Sequence, residues 1–122
     1  MPTKYSEEHE WVTANGDLAT VGITNHAQAQ LGDIVFVELP EIDSKVIAGA
    51  EAGVIESVKA ASDLFTPVSG KIIEVNTALD AEPSLANSDP TGAGWFFKIK
   101  LSNASELDSL MDEASYVAFI AE

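Results

Sequence analysis

The chain has no cysteine, so it carries no disulfide, no thiolate nucleophile and no thiolate metal ligand of its own. Any sulfur redox chemistry must arrive on an attached group. Arginine is absent too, and 6 lysines face 20 acidic residues for a formal charge of −14. That balance opposes binding to nucleic acid or to an anionic membrane, and it favours partners that present positive surface. No segment approaches the ~18 consecutive apolar residues of a membrane span, and the first residues, MPTKYSEEHEW, form neither an apolar run nor an Arg/Ser-rich amphipathic leader. A monomeric cytoplasmic protein is the expectation. What is present suits one modest core: 122 residues, 46% of them apolar and 21% charged, read as one domain spanning 1–122.

Along the chain, short strands dominate. An extended run from Trp11 reaches the turn signal Asn15-Gly16-Asp17, and Leu18–Ile23 returns from it with alternating apolar residues, which predicts a hairpin. Thr24 can cap a short helix through Leu31, and Gly32 can end it in the left-handed conformation. Asp33–Leu39 reads as a strand buried on both faces and stopped by Pro40, and Val46-Ile47-Ala48 as a short strand ending at Gly49. Further strands are expected at Gly70–Val75 and Trp95–Leu101, with Leu79–Pro90 as a polar loop. Leu107, Leu110 and Met111 stand at helical spacing, with Asn103 or Ser105 as caps, and Tyr116, Val117, Phe119 and Ile120 are expected to return over the sheet.

Gly53–Asn76 is the stretch with chemical content. Gly53–Val58 and Leu64–Val68 are rich in β-branched and aromatic residues, which places Lys59 near a hairpin tip followed by the small residues Ala60, Ala61 and Ser62. Lysines at such tips are ordinarily solvated. Flanking the hairpin, Gly32–Val37 and Gly70–Val75 share a Gly-x-Ile-(Val/Ile)-x-Val frame at an offset of 70 − 32 = 38, which also aligns Ile47-Ala48-Gly49 with Leu85-Ala86-Asn87. Two such halves can pair into a flattened barrel with Lys59 between them.

These residues closely resemble the H proteins of the glycine cleavage system, the lipoyl carriers, nearly from end to end. The resemblance is carried by His9-Glu10-Trp11, Val21-Gly22-Ile23-Thr24, His26-Ala27-Gln28, the run Leu31–Pro40, Glu56-Ser57-Val58-Lys59-Ala60, Pro67-Val68-Ser69-Gly70, Glu74-Val75-Asn76, Asn87-Ser88-Asp89-Pro90 and Gly94-Trp95. Biotin carriers usually set their lysine between methionines, whereas Val58 and Ala60 flank Lys59 here; lipoyl domains of 2-oxo-acid dehydrogenases lack the His-Glu-Trp start. Thr91 departs from the family, which often has Tyr at that place.

The resemblance implies a mainly β fold with short helices, the barrel-sandwich hybrid of two quasi-symmetric halves, plus a C-terminal helix. It implies lipoate joined by an amide to Lys59; around that tip Glu56 and Asp63 read as an acidic collar or as an ordinary solvated face. The implied partners are the P protein, a pyridoxal-phosphate glycine decarboxylase, the T protein, a tetrahydrofolate-dependent aminomethyltransferase, the L protein, a dihydrolipoyl dehydrogenase, and a lipoate-attaching enzyme. It also implies an arm cleft at Glu10, Ile23, Leu31, Ala60 and Asp63, where apolar residues cover the arm and acids pair with a cationic amine. Ile23 and Leu31 are ordinary core candidates as well. The other readings are a carrier relaying lipoyl groups to other enzymes and an unmodified interaction domain. His9 and His26 have no metal-ligand spacing, Trp11 and Trp95 read as core aromatics, and no nucleophile–base–orienter set can be built, so the expectation is a carrier rather than an enzyme.

Overall fold

Nine strands and four short α-helices follow one another in the computed structural model, which describes residues 3–121. The strands are β1 (Thr3–Tyr5), β2 (Glu10–Asn15), β3 (Leu18–Ile23), β4 (Ile34–Glu38), β5 (Lys45–Val46), β6 (Glu51–Ser57), β7 (Ala61–Phe65), β8 (Gly70–Val75) and β9 (Phe97–Leu101). The helices are α1 (Asn25–Leu31), α2 (Ala78–Ala81), α3 (Leu85–Ser88) and α4 (Glu113–Ile120), with a 3-10 helix at Ala104–Ser109. Met1, Pro2 and Glu122, which the expected span 1–122 includes, lie outside the described residues. No described helix is long and apolar enough to cross a membrane.

The strands form two antiparallel sheets, one in the order β1-β2-β3-β9-β8-β5 and one in the order β4-β6-β7. Period-two patterning explains how they face each other: in β9, Phe97, Ile99 and Leu101 are buried while Lys98 and Lys100 turn outward. Val12, Val21, Val37, Leu64 and Ile72 join them in the shared core, each 2% exposed or less. Burying such side chains contributes about 1.5–3 kcal/mol apiece. This is the expected mainly β architecture with short helices and a C-terminal helix.

The Asn-Gly hairpin forms as expected, its loop set one residue later: Asn15 still pairs with Leu18, and Gly16 takes the positive φ of 67°. Helix α1 begins at Thr24, whose hydroxyl accepts from the Ala27 N–H, and ends at Gly32. Gly32 has φ 77° and ψ −155°, a region open to glycine but distinct from the left-handed helical one expected.

Four expectations are corrected. β4 is buried at Ile34 and Val37 alone, leaving Val35 and Phe36 exposed, because it is an edge strand whose register slips between Ile34 and Phe36. The segment Leu79–Pro90 is no open loop: α2 and α3 insert Leu79 and Ala86 into the core at 0% exposure. The frame shared by the two halves maps onto β4 and β8, one in each sheet, but the aligned segments after it diverge: the short strand expected at Val46-Ile47-Ala48 is β5 at Lys45–Val46, leaving Ile47-Ala48-Gly49 in the turn beyond it, whereas Leu85-Ala86-Asn87 lies in α3. At the C-terminus the Leu107 and Leu110 spacing belongs to the 3-10 helix and its exit, Met111 bridges to Tyr5, and Asp112 caps the true helix α4 by accepting from the Ser115 N–H. Of the residues expected over the sheet, Tyr116 is buried and stacks on Tyr5 at 4.7 Å, whereas Val117 and Phe119 stay exposed.

A lysine-tipped hairpin beside a cleft

Strands β6 and β7 make the expected hairpin, paired from Glu51↔Phe65 to Glu56↔Ala61, and Val58, Lys59 and Ala60 cross its tip. One side chain shapes that tip. The Ser57 hydroxyl donates to the Ala60 carbonyl at 3.1 Å and accepts from the N–H groups of Lys59 and Ala60 at 3.2 and 3.3 Å. The Val58 N–H adds a bond to the Asp33 carbonyl at 2.9 Å, which moors the tip to the segment following α1. Sequence reasoning quoted Ser57 without giving it a role, yet a serine entering a tight turn is the available signal, since its hydroxyl can bond backbone a few residues on.

Lys59 is exposed, and among the described residues it takes part in no ion pair. Its stem crosses Gly32: a Cβ built there would stand 3.3 Å from Lys59 Cε. Gly32 in turn is held by Asn87, whose amide donates to the Gly32 carbonyl at 2.8 Å and to Gln28 Oε1 at 3.0 Å, while its Oδ1 accepts from the Ile34 N–H at 2.8 Å. Asn87 thus ties α1, Gly32, β4 and α3 together, a role its place in an expected loop concealed.

A cavity of about 280 Å³ opens between α1, the hairpin and the ends of β2 and β3. Glu10, Ile23, Leu31 and Asp63, four of the five residues expected in a cleft, line it together with Ile55 and Leu64. Ala60 is exposed at the tip and is not part of this lining. Register brings Glu10 opposite Ile23, and Leu31 reaches the cavity one residue before the Gly32 that Lys59 overlies. Glu56 and Asp63 are exposed on the two strands of the hairpin.

Glu10 is unlike the other acids. It is 3% exposed, Ser6 Oγ donates to its Oε1 at 2.8 Å, and the Phe65 N–H points to its Oε2 at 3.3 Å. Burial pushes its carboxyl up to about 8, ahead of the opposing pull of those two hydrogen bonds. At neutral pH it is therefore mostly protonated, and a cation entering the cleft would draw it into ionisation.

Beside Glu10, His9 adopts a φ of 67°, unusual for a residue with a side chain. Its backbone is held on both sides, by His9 N–H to the Ser6 carbonyl at 3.1 Å and by the Thr24 N–H to its own carbonyl at 3.0 Å. Its Nδ1 hydrogen-bonds the Tyr116 hydroxyl at 2.8 Å, which also meets Thr24 Oγ1 at 2.8 Å, so the wall of the cleft is pinned to α4. Burial, then the neighbouring His26, lowers the His9 pKa. The two imidazole rings stand 4.7 Å apart, and among the described residues no third His, Asp or Glu joins them as a metal-binding group would need. Trp11 is buried, with its ring seated on Gly22 and its N–H donating to the Pro90 carbonyl at 3.0 Å, whereas Trp95 is half-buried beneath Lys98.

Comparison with known proteins gives a consistent result. The family model described as glycine cleavage H-protein matches residues 3–122. The chain is 57% identical over 121 residues to the glycine cleavage system H protein of Methylocella silvestris, covering 98% of this chain and 97% of that one. It is 55% identical over 119 residues to the protein of that name from Thermotoga maritima, covering 98% and 96%. In structure it is similar to the crystal structure of a glycine cleavage system H protein from Mycobacterium marinum, with a TM-score of 0.90, 38% identity, and coverage of 99% of this chain and 98% of that chain.

Proposed function

The chain belongs to the glycine cleavage H-protein family, and from that premise we propose that Lys59 is the residue through which it works, by covalent attachment of lipoate. The protein is a lipoyl carrier of the glycine cleavage system. The observation that carries the assignment is the pairing of an exposed lysine on a tip shaped by Ser57, its stem over Gly32, with a cleft whose lining includes the neighbouring Leu31.

The residues present fit such an arm. A primary amine on a four-carbon stem forms an amide with a carboxylic acid, and Lys59 presents its amine to solvent where an attaching enzyme can reach it. When bound, a lipoyl group would supply a dithiolane that accepts an aminomethyl unit and cycles between disulfide and dithiol. Ile23, Leu31, Ile55 and Leu64 can exclude water from an aliphatic chain in the cleft, while Glu10 and Asp63 offer carboxyl oxygens to a cationic amine. Glu10 must release its proton to do this, and the energy of the ion pair offsets that ionisation.

We further assign the carrier no catalytic power of its own; it serves the P, T and L proteins in turn through transient contacts, because a tether raises effective concentration without tight complexes. A monomeric, cytoplasmic, single-domain protein is part of the same proposal, checked by sedimentation and cell fractionation. Intact-mass measurement on protein from its native source, with peptide mapping, should find a lipoyl-sized addition on Lys59. An unmodified Lys59 would sink the assignment. Glycine-dependent exchange reconstituted with the P protein tests the pathway: full lipoylation without exchange argues against the shuttle.

A further inference from the structure

Half of the chain's lysines stand in one row. Lys45 in β5 pairs directly with Lys71 in β8, and Lys71 pairs directly with Lys100 in β9, so the three share the outer face of neighbouring strands. Like charges set directly opposite one another destabilise a sheet. Protection of an exposed edge accounts for Lys45, which is on the edge strand, but not for Lys71 and Lys100, which sit on the two strands inside it. In a chain of formal charge −14 this is a local concentration of positive charge, bordered by Glu106, which accepts from the N–H and hydroxyl of Ser69 at 2.7 and 2.8 Å.

The row borders a groove of about 630 Å³ whose walls include Val46, Ile47 and Leu101, with Ile47 72% exposed. Its lining is therefore apolar beside a rank of cations. A carboxylate already sits on the middle lysine: Asp43 Oδ1 is 3.3 Å from Lys71 Nζ, with both side chains largely open to solvent.

We propose that this groove docks a short segment of a partner protein in which acidic and apolar residues alternate. Adjacent strands are ~4.8 Å apart, so the row spans roughly 10 Å, room for two or three carboxylates. A longer polyanion such as nucleic acid would extend past the row over a chain whose formal charge is −14. The groove lies at the root of the β6–β7 hairpin, where the Ala48 N–H bonds Ser69 Oγ and the Gly49 N–H bonds the Thr66 carbonyl. Lys59 is at the other end of that hairpin, so a partner gripping the root leaves the tip and its cleft open. The docking is independent of what Lys59 carries.

The test titrates the isotope-labelled full chain, with Lys59 modified and unmodified, with a synthetic hexapeptide of alternating leucine and glutamate, followed by amide chemical shifts. Shifts should concentrate in β5, the start of β8 and the end of β9, equally in both forms. The triple substitution Lys45→Gln, Lys71→Gln, Lys100→Gln should weaken binding roughly tenfold, each single one about twofold, and the corresponding arginine triple should retain it. Lys4→Gln with Lys98→Gln should leave binding unchanged. Absence of shifts in this groove up to the solubility limit of the peptide overturns the proposal, as does indifference to the glutamine variants. Hexaglutamate binding as tightly would reduce the groove to an anion site, and a single-stranded oligonucleotide binding more tightly would give it to another class of partner. Concentration-dependent dimerisation that the triple variant abolishes would assign the groove to a second copy of this chain. Loss of Lys59 modification would leave all these results standing.

Discussion

Replacing Glu10 with glutamine should change how stability depends on pH. The carboxyl is 3% exposed and burial pushes its pKa up to about 8 from the ordinary 4.5. At 1.36 kcal/mol per unit this corresponds to at most about 5 kcal/mol. Below pH 4.5 the carboxyl is protonated in both the folded and the unfolded chain. Between 4.5 and 8 the unfolded chain gives up the proton while the folded chain keeps it, so the folded state loses ground as pH rises; above about 8 both forms are ionised and the cost of burying the charge is fully felt. Glutamine keeps the shape and an oxygen able to accept from Ser6 Oγ or the Phe65 N–H, but it has no charge to bury. Urea unfolding of both proteins from pH 4 to 9 should give a stability difference that moves in favour of Glu10→Gln by several kcal/mol over that range. A difference that stays flat would mean that Glu10 titrates as an ordinary surface acid, and the account of the cleft as a site that ionises on binding a cation would fail with it.

Other perturbations test the parts around it. Gly32→Ala should destabilise the fold by about 1–3 kcal/mol, because φ 77° with ψ −155° is strained for alanine, and the new methyl should push the Lys59 stem away; urea midpoints and chemical shifts at the tip read both effects. Asn87→Ala removes three hydrogen bonds at one junction and should cost roughly 2–3 kcal/mol, with faster amide exchange at Ile34 as the local signature. Lys59→Arg should leave stability within about 0.5 kcal/mol, since the side chain is exposed, while abolishing the mass addition and glycine exchange, because guanidinium does not form that amide.

Local chemistry decided what could be read from the chain alone. The β2–β3 hairpin, the cap at Thr24 and the alternation through Phe97–Leu101 are each specified by residues close in sequence. β4 misled because a run of apolar residues looks the same in a central strand and in a bulged edge strand, and Val35 and Phe36 turn out to face solvent. α2 and α3, four residues each, make barely one helical turn and so cannot repeat an apolar position, and Leu79 and Ala86 gave no sign that they would be buried. Within the candidate site, the motifs pointed to Lys59, Glu10 and Asp63, but nothing in Glu7-Glu8-His9-Glu10 distinguishes the one acid that strand pairing buries from its exposed neighbours. The lysine row was hidden for a related reason: positions 45, 71 and 100 meet only through strand register, while the totals show only an acid-rich chain.

The Ser57 hydroxyl, by clamping both backbone amides across the tip, turns the end of the hairpin into a stiff pivot. Movement of anything carried on Lys59 would then start chiefly at its own side-chain bonds, with the backbone of the tip restrained by these three hydrogen bonds. A long tether on a fixed mount searches a shell of limited volume, and an enzyme docked within that shell meets its reactive end at millimolar effective concentration. Loosening the mount would spread a tether on Lys59 over a larger volume and dilute each encounter, so a serine that touches no substrate would bear on how often a group carried there is found.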